Sequence, residues 1–260
     1  MSGLMLSVSA GLKKNGYFSE NDCNFVKNRA FFELSFKELN DAVASAPICF
    51  KYVNGGVKCF ALFGYANDRN VFVLDDGSWA CRFVPTEMKI FPFCYDPGQT
   101  ENNEMKIYSD KLVDYDPSAL NMQKVFVDED IDSEKTSMAR QLVDDHLNAL
   151  ATTRNVLHSL AAANVLKEWP LCFAYEEKNY PVENIYRVDQ SALQGLDGNN
   201  LELLAKSGAL YIAYAQILSE QRLNDLSAVV EKKLTSDNFR RKLLTGEETV
   251  TKVEGASFDL

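Results

Sequence analysis

Hydrophobic and polar positions change their period near the middle of the chain, and each half predicts a different kind of structure. In the first half, the β-rich runs 47–53 and 57–63 flank Asn54, Gly55 and Gly56, a pattern typical of a β-hairpin. Further short strands are predicted at 71–74, 79–83 and 105–108. The first half is therefore predicted to form an antiparallel sheet.

The register of this hairpin depends on which residues form its turn. With the turn at 55–56, Cys59 faces Tyr52 and Cys49 faces Leu62. The two thiols are then not paired with each other across the hairpin.

The second half has the period of amphipathic helices. Apolar side chains recur at helical spacing at Val143, Leu147, Leu150, Leu157 and Ala161. This stripe predicts a long helix from about Ser133 to about Lys167, stopped by Pro170. A second long helix is predicted after Gly208, and Asp189 is predicted to cap a short helix that runs through Leu193.

These patterns predict one α+β unit, in which an antiparallel sheet from the N-terminal half is packed by two long helices from the C-terminal half. Beyond Gly246 the sequence is mostly polar, with Val250 and Val253 alternating with polar residues. This tail is expected to form an edge strand or to become ordered against a partner, and we expect it to mediate assembly.

Charge and cysteine content limit the partners and the cellular compartment that the sequence predicts. The 27 Lys and Arg against 37 Asp and Glu give a net charge of −10, which disfavours a nucleic-acid partner. No segment approaches the ~20 apolar residues that span a bilayer. Residues 4–10 lack a preceding basic residue, so no cleaved signal peptide is expected. Six cysteines without a Cys-x-x-Cys pair indicate free thiols and folding in a reducing cytoplasm.

No residue is nominated as catalytic, cofactor-binding or metal-ligating. The only histidines, His146 and His158, are twelve residues apart on one predicted helix, which separates them by ~18 Å, too far to share a metal. Residues 128–134 resemble the opening of a calcium loop, but Ser133 and Ala139 replace its required Gly and Glu. We therefore interpret 128–134 as an acidic lead-in to a helix and expect a protein that is not an enzyme.

An ordered set of short motifs in both halves resembles the SapC-like family of bacterial proteins. The motifs are Ala46-Pro47-Ile48-Cys49-Phe50, Phe60-Ala61-Leu62-Phe63-Gly64, Asn70-Val71-Phe72-Val73, Gly77-Ser78-Trp79, Phe83-Val84-Pro85, Phe91-Pro92-Phe93, Tyr186-Arg187-Val188-Asp189, Leu193, Gly208-Ala209-Leu210 and Tyr214-Ala215-Gln216-Ile217-Leu218-Ser219. On this resemblance, 36–234 is the SapC-like α+β domain, 1–35 is a divergent N-terminal segment and 235–260 is a C-terminal extension. Gln216 stands where many relatives have histidine.

The resemblance implies a protein associated with bacterial surface layers, and it extends to proteins encoded in bacteriophage genomes. It therefore implies a non-catalytic structural or assembly protein, a subunit of a surface layer or of a phage particle. The alternatives are a cytoplasmic accessory protein of a flavin-dependent halogenase or oxygenase pathway and, third, a hydrolase with a non-local site. Protein partners or self-association are expected, with no cofactor, nucleic acid, membrane span or small molecule. The aromatic motif residues Trp79, Phe83, Phe91 and Phe93 are expected in the core.

Overall fold

The computed structural model describes residues 4–18, 22–96, 104–128 and 131–245, so the predicted assembly tail beyond Gly246 lies outside the described residues. The strands are β1 (Met5–Ser7), β2 (Asn15–Phe18), β3 (Phe31–Glu33), β4 (Ile48–Val53), β5 (Gly56–Leu62), β6 (Gly64–Tyr65), β7 (Arg69–Asn70), β8 (Phe93–Cys94), β9 (Lys106–Tyr108), β10 (Val113–Asp114), β11 (Met122–Lys124), β12 (Phe126–Asp128), β13 (Ile131–Asp132), β14 (Leu166–Glu168), β15 (Leu171–Tyr175), β16 (Lys178–Val182) and β17 (Tyr186–Val188). The helices are α1 (Leu39–Val43), α2 (Thr86–Lys89), α3 (Glu134–Ala162), α4 (Gln190–Gln194), α5 (Gly198–Ser207), α6 (Ala209–Ser219) and α7 (Arg222–Thr245).

The central sheet is antiparallel, with strand order β14-β17-β4-β5-β3. The predicted α+β class is confirmed, with the long helix α3 in the second half of the chain. The sheet is not confined to the first half, however, because β14 and β17 form one edge of it. Two smaller three-stranded sheets have the strand orders β1-β9-β8 and β10-β2-β11.

The hairpin β4–β5 is present, but its turn is one residue earlier than predicted. Asn54 and Gly55 have left-handed φ values of 51° and 78°, as the tight two-residue hairpin turn requires. The register predicted for a 55–56 turn is therefore wrong by two positions. Cys59 lies opposite Phe50 and not opposite Tyr52.

Two of the other predicted strands are reduced to a single bridge. Val73 and Trp79 form an isolated β-bridge across a turn in which Gly77 has φ 82°. The Trp79 indole donates to the carbonyl of Phe83 at 2.9 Å. The predicted strand at 105–108 is confirmed as β9.

The predicted helix starts are confirmed, and so is the end of the short helix α4 near Leu193, but the ends predicted for the two long helices are wrong. Ser133 caps α3 by accepting from the Thr136 amide, and the Asp189 carboxylate caps α4. Helix α3 ends at Ala162, not near Lys167, because Asn164 is left-handed and the chain then enters β14. The second long helix is two helices, α6 and α7, and α5 was not predicted.

Three hydrophobic clusters form the interior. The central core lies between the central sheet, α3 and α6. The hairpin core joins the β15–β16 hairpin to Leu226, Val230 and Leu234 of α7. The N-terminal core packs β8 and β9 against Val143 and Leu150 of α3. Among the described residues, no helix combines the length and the apolar character that a bilayer span requires.

Candidate functional site

A pocket of about 860 Å³ opens beside the N-terminal core. Its walls come from β1, from the segment that carries Phe25 and Arg29, from the region of Glu87 on α2, and from β8 and β9. Its volume falls within the ~300–1,000 Å³ typical of small-molecule sites. Four separate stretches of the chain therefore meet at one concave surface.

One wall of the pocket is aromatic. The rings of Phe25 and Phe91 are stacked with centroids 3.8 Å apart and planes 13° from parallel. The Tyr108 ring lies 6.1 Å from Phe91 on the same wall. The core position expected for the aromatic motif residues holds for Phe83 and Phe93. Trp79 packs against the central core but is only half-buried, and Phe91 is half-buried where it stacks on Phe25 at the pocket.

The polar part of the pocket carries both charge signs. Arg29 forms an ion pair with Glu87. Lys106 lies 3.5 Å from the Asp96 carboxylate and is only 17% exposed. Arg29, Glu87 and Lys106 line the pocket, and each of the two cations has a carboxylate partner.

Tyr95 connects the pocket with the buried interior. It lines the pocket and is 7% exposed, and the Glu87 carboxylate lies near its hydroxyl. Burial, followed by the nearby carboxylates of Glu87 and Glu33, raises the pKa of the Tyr95 hydroxyl far above its ordinary value. The hydroxyl is therefore neutral at physiological pH and available as a donor.

Behind Tyr95 lies a buried histidine–carboxylate pair. The His146 ring lies 5.7 Å from the Tyr95 ring, and its Nδ1 lies 3.5 Å from Glu38 Oε2. Within the described part of the chain, His146 Nε2 has no hydrogen-bond partner. Burial alone would raise the pKa of Glu38, but His146 and hydrogen bonds from Ser35 and Thr86 outweigh burial and lower it.

The two histidines that the sequence singled out have different surroundings. His146 is buried on the side of α3 that faces Glu38, whereas His158 is exposed on the same helix. Among the described residues, no group of three or more His, Cys, Asp or Glu side chains is arranged to hold a metal ion. In the acidic segment, Asp132 binds Arg140 through two hydrogen bonds and Ser133 caps α3, which agrees with the helix lead-in interpretation.

A second charged cluster, formed by Glu33, Lys58 and Arg154, ties α3 to the central sheet. Arg154 donates to both carboxylate oxygens of Glu33, at 2.8 and 2.9 Å, and Lys58 Nζ lies 3.0 Å from the same group. The carboxylate is 6% exposed, so both cations compensate its burial. This cluster holds structural elements together.

Gln216 also has a structural role in this chain. Its side chain is fully buried, and its carbonyl oxygen accepts from the Val188 amide at 2.8 Å. Its amide nitrogen donates to Glu220 at 3.0 Å. The first contact joins α6 to β17 of the central sheet, and the second lies within the C-terminal end of α6.

Two buried cysteines, Cys49 and Cys94, are unsuited to nucleophilic chemistry. All six cysteines are described, and none is disulfide-bonded. Burial raises the pKa of Cys49 and of the pocket residue Cys94 to about 12. Thiols with such values are poor nucleophiles at neutral pH.

Sequence reasoning nominated none of the pocket residues. Arg29, Glu87, Tyr95 and Lys106 lie on separate segments and share no motif. The Ser-x-x-Glu pattern at 35–38 indicates a helix capping box, which the structure contains, but neither residue lines the pocket.

Comparison with known proteins identifies the family of this chain. Residues 13–226 match the sequence model of the SapC family. Neither a curated protein nor a solved structure matches the chain. The match covers well over half of the sequence and includes the central sheet, α3 and α6. This chain therefore belongs to the SapC family.

Proposed function

We propose that this protein is a non-catalytic structural or assembly protein, a subunit of a bacterial surface layer or of a phage particle. The observation that carries the proposal is an exposed apolar stripe on α6, formed by Tyr211, Tyr214 and Leu218. These side chains are 39%, 53% and 59% exposed, and their spacing of three and four places them on one face. Helix α6 contains no charged residue.

The stripe continues onto neighbouring aromatic surface. The Phe36 ring, itself 37% exposed, lies 4.8 Å from the Tyr211 ring. The Tyr211 hydroxyl donates to Asn40 at 2.6 Å, which fixes the ring. Fixed aromatic side chains contribute contact area at low entropic cost, as in protein–protein interfaces.

The buried polar groups support a non-catalytic role. The His146 side chain is only 2% exposed, and Tyr95 lies between it and the pocket side. A general base must reach within about 3 Å of the proton that it removes. Burial of His146 behind Tyr95 argues against that use.

Replacing two stripe residues tests the proposal. We expect Tyr214→Ser combined with Leu218→Ser to lower the assembled fraction in sedimentation velocity at least tenfold, since an interface loses two apolar anchors. The matched control, Leu120→Ser with Met138→Ser, changes two exposed apolar residues elsewhere and should assemble normally. A wild-type protein that stays monomeric at every concentration, or a stripe variant that assembles like the control, contradicts the proposal.

The alternative function is a cytoplasmic accessory protein of a flavin-dependent halogenase or oxygenase pathway. The same stripe would then bind a partner enzyme in place of a second copy. A wild-type chain that is monomeric alone but forms a stripe-dependent complex with a flavoenzyme supports this alternative.

A further inference from the structure

The pocket described above is lined mainly by apolar side chains. Ten of its fourteen lining residues are aliphatic, aromatic or sulfur-containing. Apolar surface of this kind is stabilised when a ligand removes it from water. The lining therefore favours a ligand that is itself largely apolar, which is the usual character of small-molecule sites.

Half of these ten residues carry aromatic rings, and the rings favour a flat ligand. They are Phe25, Phe91, Phe93, Tyr95 and Tyr108. Phe25 is already stacked on Phe91, and the Tyr108 ring lies 6.1 Å from Phe91. Aromatic rings gain stabilisation beyond area burial when they stack with an offset or meet edge to face, so a flat ring can extend this aromatic wall. The volume of about 860 Å³ has room for a bicyclic ring system.

The charged groups of the pocket are compensated within the protein. Arg29 is paired with Glu87, and Lys106 lies 3.5 Å from the Asp96 carboxylate. The Tyr95 hydroxyl also lies beside the Glu87 carboxylate. A carboxylate on a ligand would have to leave water without an uncompensated cation to receive it, which is unfavourable. The pocket therefore favours a ligand without net charge.

We propose that this pocket binds a small, neutral, flat aromatic molecule, with its ring beside the Phe25–Phe91 stack and Tyr108. The proposal adds a small-molecule site to a protein whose sequence predicted only protein partners. It does not depend on the proposed assembly role, because the α6 stripe consists of different residues.

Calorimetric titration of the full chain with three bicyclic probes at pH 7 tests the ligand class. The neutral, flat 2-naphthol should bind saturably. The charged 2-naphthoate should bind at least tenfold more weakly, because its carboxylate loses hydration without gaining a free cation. The saturated decahydro-2-naphthol is neutral but not flat, and it should bind at least threefold more weakly. Absence of saturable 2-naphthol binding, or equal or tighter binding of either other probe, overturns the proposal.

A substitution at the edge of the pocket tests the location of the ligand. Leu4 lines the pocket and is 68% exposed, so Leu4→Trp should keep the wild-type melting temperature while its indole occupies the space of the ligand. We expect 2-naphthol affinity to fall at least tenfold. The matched control Leu74→Trp changes an exposed leucine that does not line the pocket and should bind as the wild type does. If Leu4→Trp binds 2-naphthol as tightly as this control, the ligand does not occupy the pocket and the proposal fails.

A second variant tests whether charge compensation determines the ligand class. Glu87→Gln removes the carboxylate that is paired with Arg29 and leaves an uncompensated guanidinium at the pocket. The ratio of 2-naphthoate affinity to 2-naphthol affinity should then rise at least tenfold. The control Glu202→Gln disrupts an exposed ion pair on α5 and should keep the wild-type ratio. An unchanged ratio in Glu87→Gln contradicts the charge argument on which the proposal depends.

Discussion

Glu38 joins three segments of the chain through one buried carboxylate. Its Oε2 accepts from the backbone amide and the hydroxyl of Ser35, at 3.0 and 2.7 Å, and its Oε1 accepts from the Thr86 amide at 2.9 Å. His146 on α3 lies 3.5 Å from the same carboxylate. A single side chain therefore fixes the start of α1, the start of α2 and the middle of α3 relative to one another.

Replacing this carboxylate with an amide is expected to destabilise the fold. In Glu38→Gln, one of the two oxygens becomes an N–H₂ group that faces a backbone donor. We expect a loss of about 2 kcal/mol in urea unfolding at pH 7. The control Glu202→Gln affects an exposed i,i+4 pair with Lys206 and should cost less than about 0.5 kcal/mol. Equal losses in both variants would contradict the role of Glu38.

The lowered pKa of Glu38 gives this contribution a pH dependence with a defined sign. Because the folded-state pKa lies below the ordinary value of 4.5, the charged carboxylate stabilises the fold above that value. The contribution is lost as pH falls through the folded pKa. Urea unfolding of wild type and Glu38→Gln should therefore differ by a constant amount above about pH 5.5 and converge in acid. A difference that grows as pH falls would refute the assigned direction.

At the scale of elements, the β4–β5 turn shows how two adjacent glycines play different roles. Gly55 has φ 78°, a left-handed conformation that favours glycine, whereas Gly56 already belongs to β5. A Cβ on either residue would meet no close atom, so backbone conformation alone separates them.

Alanine substitutions at these two glycines test the observed register. Gly55→Ala should cost about 1 kcal/mol in thermal or urea unfolding, because a left-handed alanine is strained by roughly 1–2 kcal/mol. Gly56→Ala is the matched control and should be close to neutral, with extended backbone and open space at its Cβ. Comparable losses at both positions would place the turn at 55–56, as the sequence first indicated.

Secondary structure was predicted correctly where the residue that determines it lies close by in the sequence. Ser133 and Asp189 cap their helices within three residues, and both helix starts were predicted. The end of α3 was missed because β14 pairs with β17, a partner about twenty residues away. The break between α6 and α7 was missed because Ser219 accepts from the Ile48 amide and Glu220 binds Arg187, both on distant strands.

At the scale of the whole molecule, the pocket could not be predicted because its residues come from distant parts of the sequence. Arg29 and Glu87 are 58 residues apart, and Tyr95 approaches His146 across 51 positions. No periodicity or spacing rule connects residues at such separations. Tyr95 belongs to the N-terminal core, which packs against Val143 and Leu150 of α3.

The hairpin core extends beyond the part of the chain that matches the family. The SapC match ends at residue 226, but α7 continues to Thr245. Val230 and Leu234, which lie past the match, are 2% and 7% exposed. They pack in one cluster with Trp169 and Phe173 of the β15–β16 region.

Two truncations test whether this part of α7 belongs to the folded unit. A chain ending at residue 226 loses the burial of Val230 and Leu234, each worth about 1.5–3 kcal/mol, and leaves the apolar side of the β15–β16 hairpin uncovered. We expect its free energy of unfolding in urea to fall by at least about 3 kcal/mol. A chain ending at residue 245 keeps both side chains and should unfold like the full chain. If the 226-residue chain is as stable as the 245-residue chain, α7 beyond Leu226 contributes nothing to the hairpin core, and the stable unit ends where the family match ends.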